Sequence, residues 1–241
     1  MRWSMKRLDK ILSEAGVAGR KELKDMIRAG RVQVDGVVVS KADQKFDENN
    51  VTITVDGEIV DTEQFVYYML HKPQGVVTAT EDGEHKTVLD LFPEELRRRG
   101  LFPVGRLDKD TTGLLILTND GEYAHRIISP KTHVSKRYMA QTDGIANEED
   151  VRAFSEGIVL RDGTECLPAG LEVTGSEICY VTLLEGKYHQ VKRMLASRGK
   201  PVETLHRCSI GALDLDDTLQ AGEFRRLTPE EVQKSLVKLP L

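Results

Sequence analysis

The chain has 241 residues, 39% of them hydrophobic and 30% charged, with a formal net charge of −5. That balance is ordinary for a globular protein of one large domain or two unequal ones, and no apolar run approaches the roughly 20 residues of a membrane span. The three cysteines, Cys166, Cys179 and Cys208, are far apart and lack Cys-x-x-Cys spacing, which speaks against a structural zinc site and for a reducing compartment.

The opening, MRWSMKRLDK, is basic without an apolar core, unlike a secretory signal. Leu8, Ile11, Leu12 and Ala15 recur at helical spacing up to Gly16. A second helix is predicted to begin near Gly19. It turns Leu23, Met26 and Ile27 inward and leaves Lys21, Lys24 and Arg28 on its other face. Val32 and Val34 lead to Asp35-Gly36, and Val37 and Val39 follow, which reads as a two-residue hairpin. Residues 51–60 repeat that pattern around Asp56-Gly57. Residues 1–45 hold eleven Lys/Arg and six Asp/Glu. The whole-chain charge argues against a nucleic-acid binder, but a basic head on an acidic body suits a polyanion-binding module. Solvated helix faces would look the same.

Residues 61–64 read as a short polar linker. Beyond it, 66–70 is strand-like, Lys72-Pro73-Gln74-Gly75 breaks into a loop, and 76–78 is extended. A short helix is predicted over 93–100, and a buried strand over 114–117 that ends in a tight turn at Asn119-Asp120-Gly121. Further helices are predicted over 125–129, 148–156 and 188–198, and one from Pro229. Further strands are predicted over 136–140, 170–173, 178–184, 202–205 and 210–213. Strands outnumber helices without alternating regularly, so the fold class is α+β, with a mixed, largely antiparallel sheet.

Asp108 lies just ahead of the 114–117 strand, between Arg106 and Lys109. A carboxylate there is held on rigid backbone near a surface, which suits a nucleophile or general base. A polar loop entering a core strand has the same spacing. In EGKYHQVKRMLASRG, residues 185–199, the apolar stripe Val191, Met194 and Leu195 leaves Lys192 and Arg193 off it. Either cation could stand beside a carboxylate and hold it ionised, or both could face solvent. Tyr138 can stack on a base or exchange a proton, or serve as core. Asp108 and Asp110, with His125 and His133, could be read as a metal pair, but the spacing is not that of a ligand set. There is no glycine-rich phosphate cradle.

The wording GRLD-x-x-T-x-GLL-x-LTNDG, residues 105–121, strongly resembles the signature of the RsuA-type pseudouridine synthases. The resemblance runs from about residue 65 to residue 231. It implies a curved sheet whose cleft holds RNA, with Asp108 as the catalytic residue, either nucleophile at the sugar or base at its 2′ position. In H-Q-[IVL]-[RK] the last residue sits beside that Asp. Here it is Lys192, where many members carry Arg, and Arg193 is the weaker candidate. The K-x-Y motif sets Tyr138 against the uracil ring. Lys72-Pro73-Gln74-Gly75 matches the family's first motif, packing beneath the site with Lys72 on the RNA backbone, and Arg106 would be a wedge or phosphate contact. Residues 5–60, through RLDK-x-L and I-x-x-G-x-V-x-V-D-G, resemble the S4 RNA-binding domain. Many members have Ser where this chain has Gly19. That resemblance implies RNA contacts from Arg7, Lys10, Arg20, Lys21, Lys24, Arg28 and Arg31.

The expected organisation is therefore an S4-like domain over 1–61 and a catalytic domain over 65–241. The expected reaction is isomerisation of uridine to pseudouridine in ribosomal RNA, with no cofactor and no metal. EGKYHQVKRML, ETLHR at 203–207, IGALDL and AGEFRRLT resemble the branch named for the 16S enzyme. They imply 16S rRNA in an assembling small subunit as partner, met by a cytoplasmic monomer with no membrane contact. The alternatives are the same chemistry on a large-subunit (23S) uridine, and a non-catalytic RNA-binding or ribosome-assembly protein.

Overall fold

The computed structural model describes residues 5–239 and 241, so the first four residues of the basic opening lie outside the described residues. The chain divides into two compact units. One runs to Val66 and takes in Phe92–Leu101, and the other comprises Tyr67–Leu91 and Phe102–Leu241. Sequence order alone attaches residues 92–101 to the second.

In the first unit β1 (Lys6–Arg7) leads into α1 (Leu8–Glu14) and α2 (Arg20–Arg28). Their apolar residues Leu8, Ile11, Leu12, Leu23 and Ile27 are buried with Val32, Val34 and Ile53 in one core. β2 (Val32–Val34) turns into β3 (Val37–Val38) through Asp35-Gly36, both at positive φ, as a primed hairpin turn requires. β4 (Lys45–Phe46) pairs with β1. β5 (Ile53–Val55) and β6 (Glu58–Ile59) complete an antiparallel sheet of order β3-β2-β5-β6. The added segment supplies α3 (Glu94–Arg98). A Cβ on Gly16, whose φ is +80°, would stand 2.1 Å from the Glu95 carbonyl oxygen, so only glycine admits this approach. Arg99 is buried and donates to Asp61 Oδ2 at 3.0 Å and to the Glu63 carbonyl.

The second unit is built on one sheet. Its strands are β7 (Tyr67–Lys72), β8 (Phe102–Pro103), β9 (Thr112–Thr118), β10 (Lys136–Thr142), β11 (Gly170–Val173), β12 (Ile178–Leu183), β13 (Val202–Ile210), β14 (Leu213–Asp214) and β15 (Phe224–Arg226). The main order is β11-β12-β10-β13-β9-β7-β15, with β14 on β13 and β8 on β9. β13 and β9 run parallel, and the other described ladders of this sheet are antiparallel. The helices are α4 (Gly121–Ile128), α5 (Glu148–Glu156), α6 (Gln190–Ser197) and α7 (Pro229–Lys234). Met69 and Ile116 pack with Tyr123, Ile127 and Val232 of α4 and α7. Ala140, Val181 and Leu205 pack with Phe154, Met194 and Leu195 of α5 and α6.

Three local expectations change. Asn119-Asp120-Gly121 is not a tight turn. Asp120 caps α4, accepting from the Tyr123 N–H at 3.0 Å, so the helix starts at Gly121. The pieces at 202–205 and 210–213 belong largely to one long strand, β13, which turns back at Gly211 into β14. The helix predicted from residue 188 begins at Gln190 because His189 is left-handed, with φ 48° and ψ 35°.

Register across the sheet aligns Lys72 of β7, Gly113 of β9, Arg207 of β13, Tyr138 of β10 and Val181 of β12 as successive partners. Paired residues on neighbouring strands point to the same face. One row therefore carries two cations and a tyrosine, with a glycine between them.

Candidate active site

Asp108 sits on the loop that enters β9, and that loop is held on both sides of it. On one side Thr78 Oγ1 donates to the Leu107 carbonyl at 2.7 Å and accepts from the Leu107 N–H at 3.2 Å. On the other, Lys72 Nζ donates to the carbonyls of Thr111 at 2.9 Å, Pro73 at 3.0 Å and Lys109 at 3.4 Å. The Gly75 N–H adds a bond to the Lys109 carbonyl at 2.8 Å. Segment 72–78 is thus a clamp under the loop, and Asp108 remains accessible, its side chain 28% exposed.

Lys72 itself is fully buried. It cannot meet an RNA phosphate, which corrects the expectation drawn from its motif: its charge is used on backbone carbonyls. Burial pushes its ammonium down to about 8, although Asp110 and Asp108 pull the other way.

Helix α6 brings the second lysine to the carboxylate. Lys192 Nζ stands 3.2 Å from Asp108 Oδ2 and 2.5 Å from Asp110 Oδ1. Burial works against its charge, but hydrogen bonds to Asp110 and Asp108 outweigh it, and the ammonium lies above its ordinary range. Asp110 is lowered, first by its hydrogen bond from Lys192. His189 Nε2 approaches the other Asp108 oxygen at 3.4 Å. Arg193, one residue on, is turned away: it pairs with Asp162 and donates to the Tyr188 carbonyl at 3.4 Å. Of the two candidate cations, Lys192 is therefore the one against Asp108.

Tyr138 is half-buried, its ring 6.0 Å from the Arg207 guanidinium carbon. Arg207 is buried and donates from Nε to the Leu114 carbonyl at 2.7 Å. Its Nη2 and the Thr111 hydroxyl are buried without a hydrogen-bond partner. Gly113 makes this row possible, since a Cβ there would stand 2.3 Å from the Arg207 carbonyl oxygen. Lys136 of the K-x-Y motif is structural, donating to the carbonyls of Ile127 at 2.9 Å and Val134 at 2.8 Å.

Arg106 is exposed on the Asp108 loop. In the first unit Arg20, Lys21 and Lys24 are exposed on α2, as is Arg28, 3.5 Å from Asp25. The others are engaged locally: Arg7 with Asp9 at 2.8 Å, Lys10 with Glu14 at 3.6 Å and Arg31 with Asp56 at 2.9 Å. Among the described residues no three His, Cys, Asp or Glu side chains gather as metal ligands. Asp108 and Asp110 share a lysine instead.

Thr78, His189 and Arg207 were not singled out for the site by sequence, and Asp110 was weighed only as half of a metal pair with Asp108. His189 stands inside H-Q-V-K and Arg207 inside ETLHR, so motif wording touches both, but no local period tells that they converge. The assembled group is an accessible carboxylate with an ammonium on one oxygen and an imidazole near the other. It can attack an electrophilic carbon or accept a proton.

Comparison with known proteins bears on this group directly. The family model described as RNA pseudouridylate synthase matches residues 66–197, and that of the S4 domain matches residues 6–51. The uncharacterized RNA pseudouridine synthase YtzG of Bacillus subtilis is 44% identical over 94% of this chain and 96% of its own. The ribosomal small subunit pseudouridine synthase A of Vibrio cholerae is 43% identical over 94% and 97%. A crystal structure of a pseudouridylate synthase superposes with a TM-score of 0.68 at 38% identity, covering 96% of this chain and 100% of that one. The segment that matches the synthase model carries Asp108, Tyr138 and Lys192 together, and the chain belongs to the RNA pseudouridylate synthase family, with an S4 domain ahead of its catalytic sheet.

Proposed function

We propose that this protein converts one uridine of 16S ribosomal RNA to pseudouridine in an assembling small subunit. The observation that carries the reading is the accessible Asp108 carboxylate against Lys192 on a clamped loop, within the segment that matches the synthase family. The small-subunit substrate is supported by similarity over nearly the whole chain to relatives named for that subunit, 43% for Vibrio cholerae and 40% for Haemophilus influenzae. The large-subunit synthase B of Bacillus subtilis, at 37% identity, makes 23S rRNA the second reading.

In this reaction the bond from C1′ to uracil N1 breaks, the base turns over, and C5 bonds to C1′. N1 gains a proton and C5 loses one, so the atoms balance with no cofactor. Asp108 acts at the sugar, on C1′ or on the 2′ position. Lys192 orients it and offsets its charge, and Tyr138 holds the detached base. All three stand in one unit of one chain, so the reading needs no residue from a second copy. The free cysteines support a cytoplasmic setting.

The test is mapping of pseudouridines in 16S and 23S rRNA after reaction with the purified protein, with tritium release from 5-tritiated uridine as the rate. Asp108→Asn is expected to lose at least about 1,000-fold in rate while still folding and binding RNA. A new pseudouridine only in 23S rRNA would move the substrate. Full activity of Asp108→Asn would remove the assignment of that residue.

A further inference from the structure

Just ahead of α6, beside Asp108, stands an aromatic pair for which the reaction as described has no use. Tyr188 is 76% exposed. Its ring lies on the His189 imidazole with centroids 3.8 Å apart and planes 19° from parallel. The same imidazole approaches Asp108 Oδ1 at 3.4 Å. The stack thus leads outward from the carboxylate, imidazole first and phenol ring second.

The pair is held from beneath. His189 occupies a left-handed backbone conformation that few side chains adopt and that surrounding structure must impose. The Gln190 side chain, itself buried, accepts from the Lys187 N–H at 2.9 Å and donates to buried Glu185 at 2.8 Å. Glu185 in turn accepts from the Leu167 N–H at 2.9 Å. Arg193, paired with Asp162, donates to the Tyr188 carbonyl at 3.4 Å. An exposed ring presented on so constrained a backbone gives up little freedom when something stacks on it.

Taking the proposed RNA chemistry as its premise, we infer that Tyr188, backed by His189, is a stacking platform for the base of a nucleotide adjoining the target uridine. An enzyme that takes a base out of its stack leaves the neighbouring base without a partner on one side. Aromatic side chains replace such partners in single-stranded RNA recognition, because every base presents a π-face. With the target sugar at Asp108, the neighbouring nucleotide is the one within reach of a ring one layer further out. Both rings are planar and offer no hydrogen-bond pattern toward the outer face of Tyr188, so the platform favours stacking strength over base identity. Tyr188 is a positioning residue, and its effect belongs to substrate binding and alignment.

The experiment measures kcat and KM on RNA oligonucleotides carrying the uridine mapped in 16S rRNA, for the wild type, Tyr188→Phe and Tyr188→Ala. Each is assayed on the intact RNA and on RNAs with an abasic nucleotide immediately 5′ or 3′ of the target. Affinities of the same RNAs for Asp108→Asn, with and without Tyr188→Ala, are read by fluorescence anisotropy. Tyr188→Ala is expected to lower kcat/KM about 10- to 100-fold, chiefly through KM, and Tyr188→Phe to restore it. One of the two abasic RNAs should be penalised with the wild type and scarcely further penalised with Tyr188→Ala. Equal kcat/KM for wild type and Tyr188→Ala would overturn the inference, as would abasic and Tyr188→Ala penalties that simply multiply. A wild type that makes no pseudouridine in either rRNA would remove the functional reading, and anisotropy on single-stranded rRNA oligonucleotides, intact and with one abasic nucleotide, would still decide the platform.

Discussion

Lys72 and Lys192 both lie within reach of the Asp108 loop, and their surroundings give them different tasks. Lys192 is partly exposed and touches the carboxylates of Asp108 and Asp110. Lys192→Met should lower kcat by about 100-fold or more, while Arg193→Met, which leaves Asp108 and Lys192 in place, should mainly raise KM. Single-turnover tritium release separates the two, and a reversed pattern would show that Arg193 is the working cation. Lys72 instead holds the loop from inside. Its pKa falls from 10.5 unfolded to about 8 folded. Between those values the unfolded chain keeps a proton that the folded chain has lost, so stability rises with pH across that window. Below about pH 8 both states are protonated and the full burial penalty applies. Wild type should therefore gain on Lys72→Met by on the order of 3 kcal/mol from pH 8 to 10.5 in urea unfolding. A constant gap would refute the shift.

At the scale of elements, β9 and α6 meet the site by different routes. β9 is buried along 113–118 and reads in the sequence as an apolar run. Its second residue, Gly113, has φ +104° and lies against the Arg207 carbonyl. Gly113→Ala should cost about 3 kcal/mol or more, through the strained conformation and the forced separation of β9 from β13. Thermal unfolding checks this, and an unchanged Tm would mean that the strands part easily there. Helix α6 carries its apolar stripe of Val191, Met194 and Leu195 into the core, and that burial fixes the rotation that turns Lys192 toward the carboxylate and Arg193 toward Asp162. The late start of α6, at Gln190, is set by the left-handed His189.

For the whole molecule, the acidic net charge conceals a basic head. In the structure Arg7, Lys10 and Arg31 are each paired with a nearby carboxylate, and Arg20, Lys21 and Lys24 stand exposed together on α2, with Arg28 3.5 Å from Asp25. Replacing Lys21, Lys24 and Arg28 together by Gln should weaken rRNA binding and reduce the slope of log affinity against log salt by about two, at roughly 0.7 to 0.9 per phosphate contact. Filter binding at several salt concentrations reads this, and an unchanged slope would show that α2 does not meet phosphate. The full chain is the proper material for this test. A cut at 61–64 would remove the partners of α3, including the carboxylate and carbonyl that receive buried Arg99.

What was legible in the residues is what neighbours along the chain encode. The helical spacing of α1 and α2, the Asp-Gly hairpin turns and the apolar run of β9 follow from periods of 3.6 and 2 and from turn chemistry. The wording around Asp108 and Lys192 carried the family and, with it, the α+β sheet. What the residues left open depends on partners far apart in the chain. The burial of Lys72 requires the 109–111 carbonyls to close over it, and Arg207 enters the row only because β13 runs parallel to β9 in one register. Residues 92–101 join the first unit through Gly16 and Arg99, contacts that no local pattern announces. A period tells which way a side chain faces within its own element, whereas the identity of what it faces is set by packing between elements.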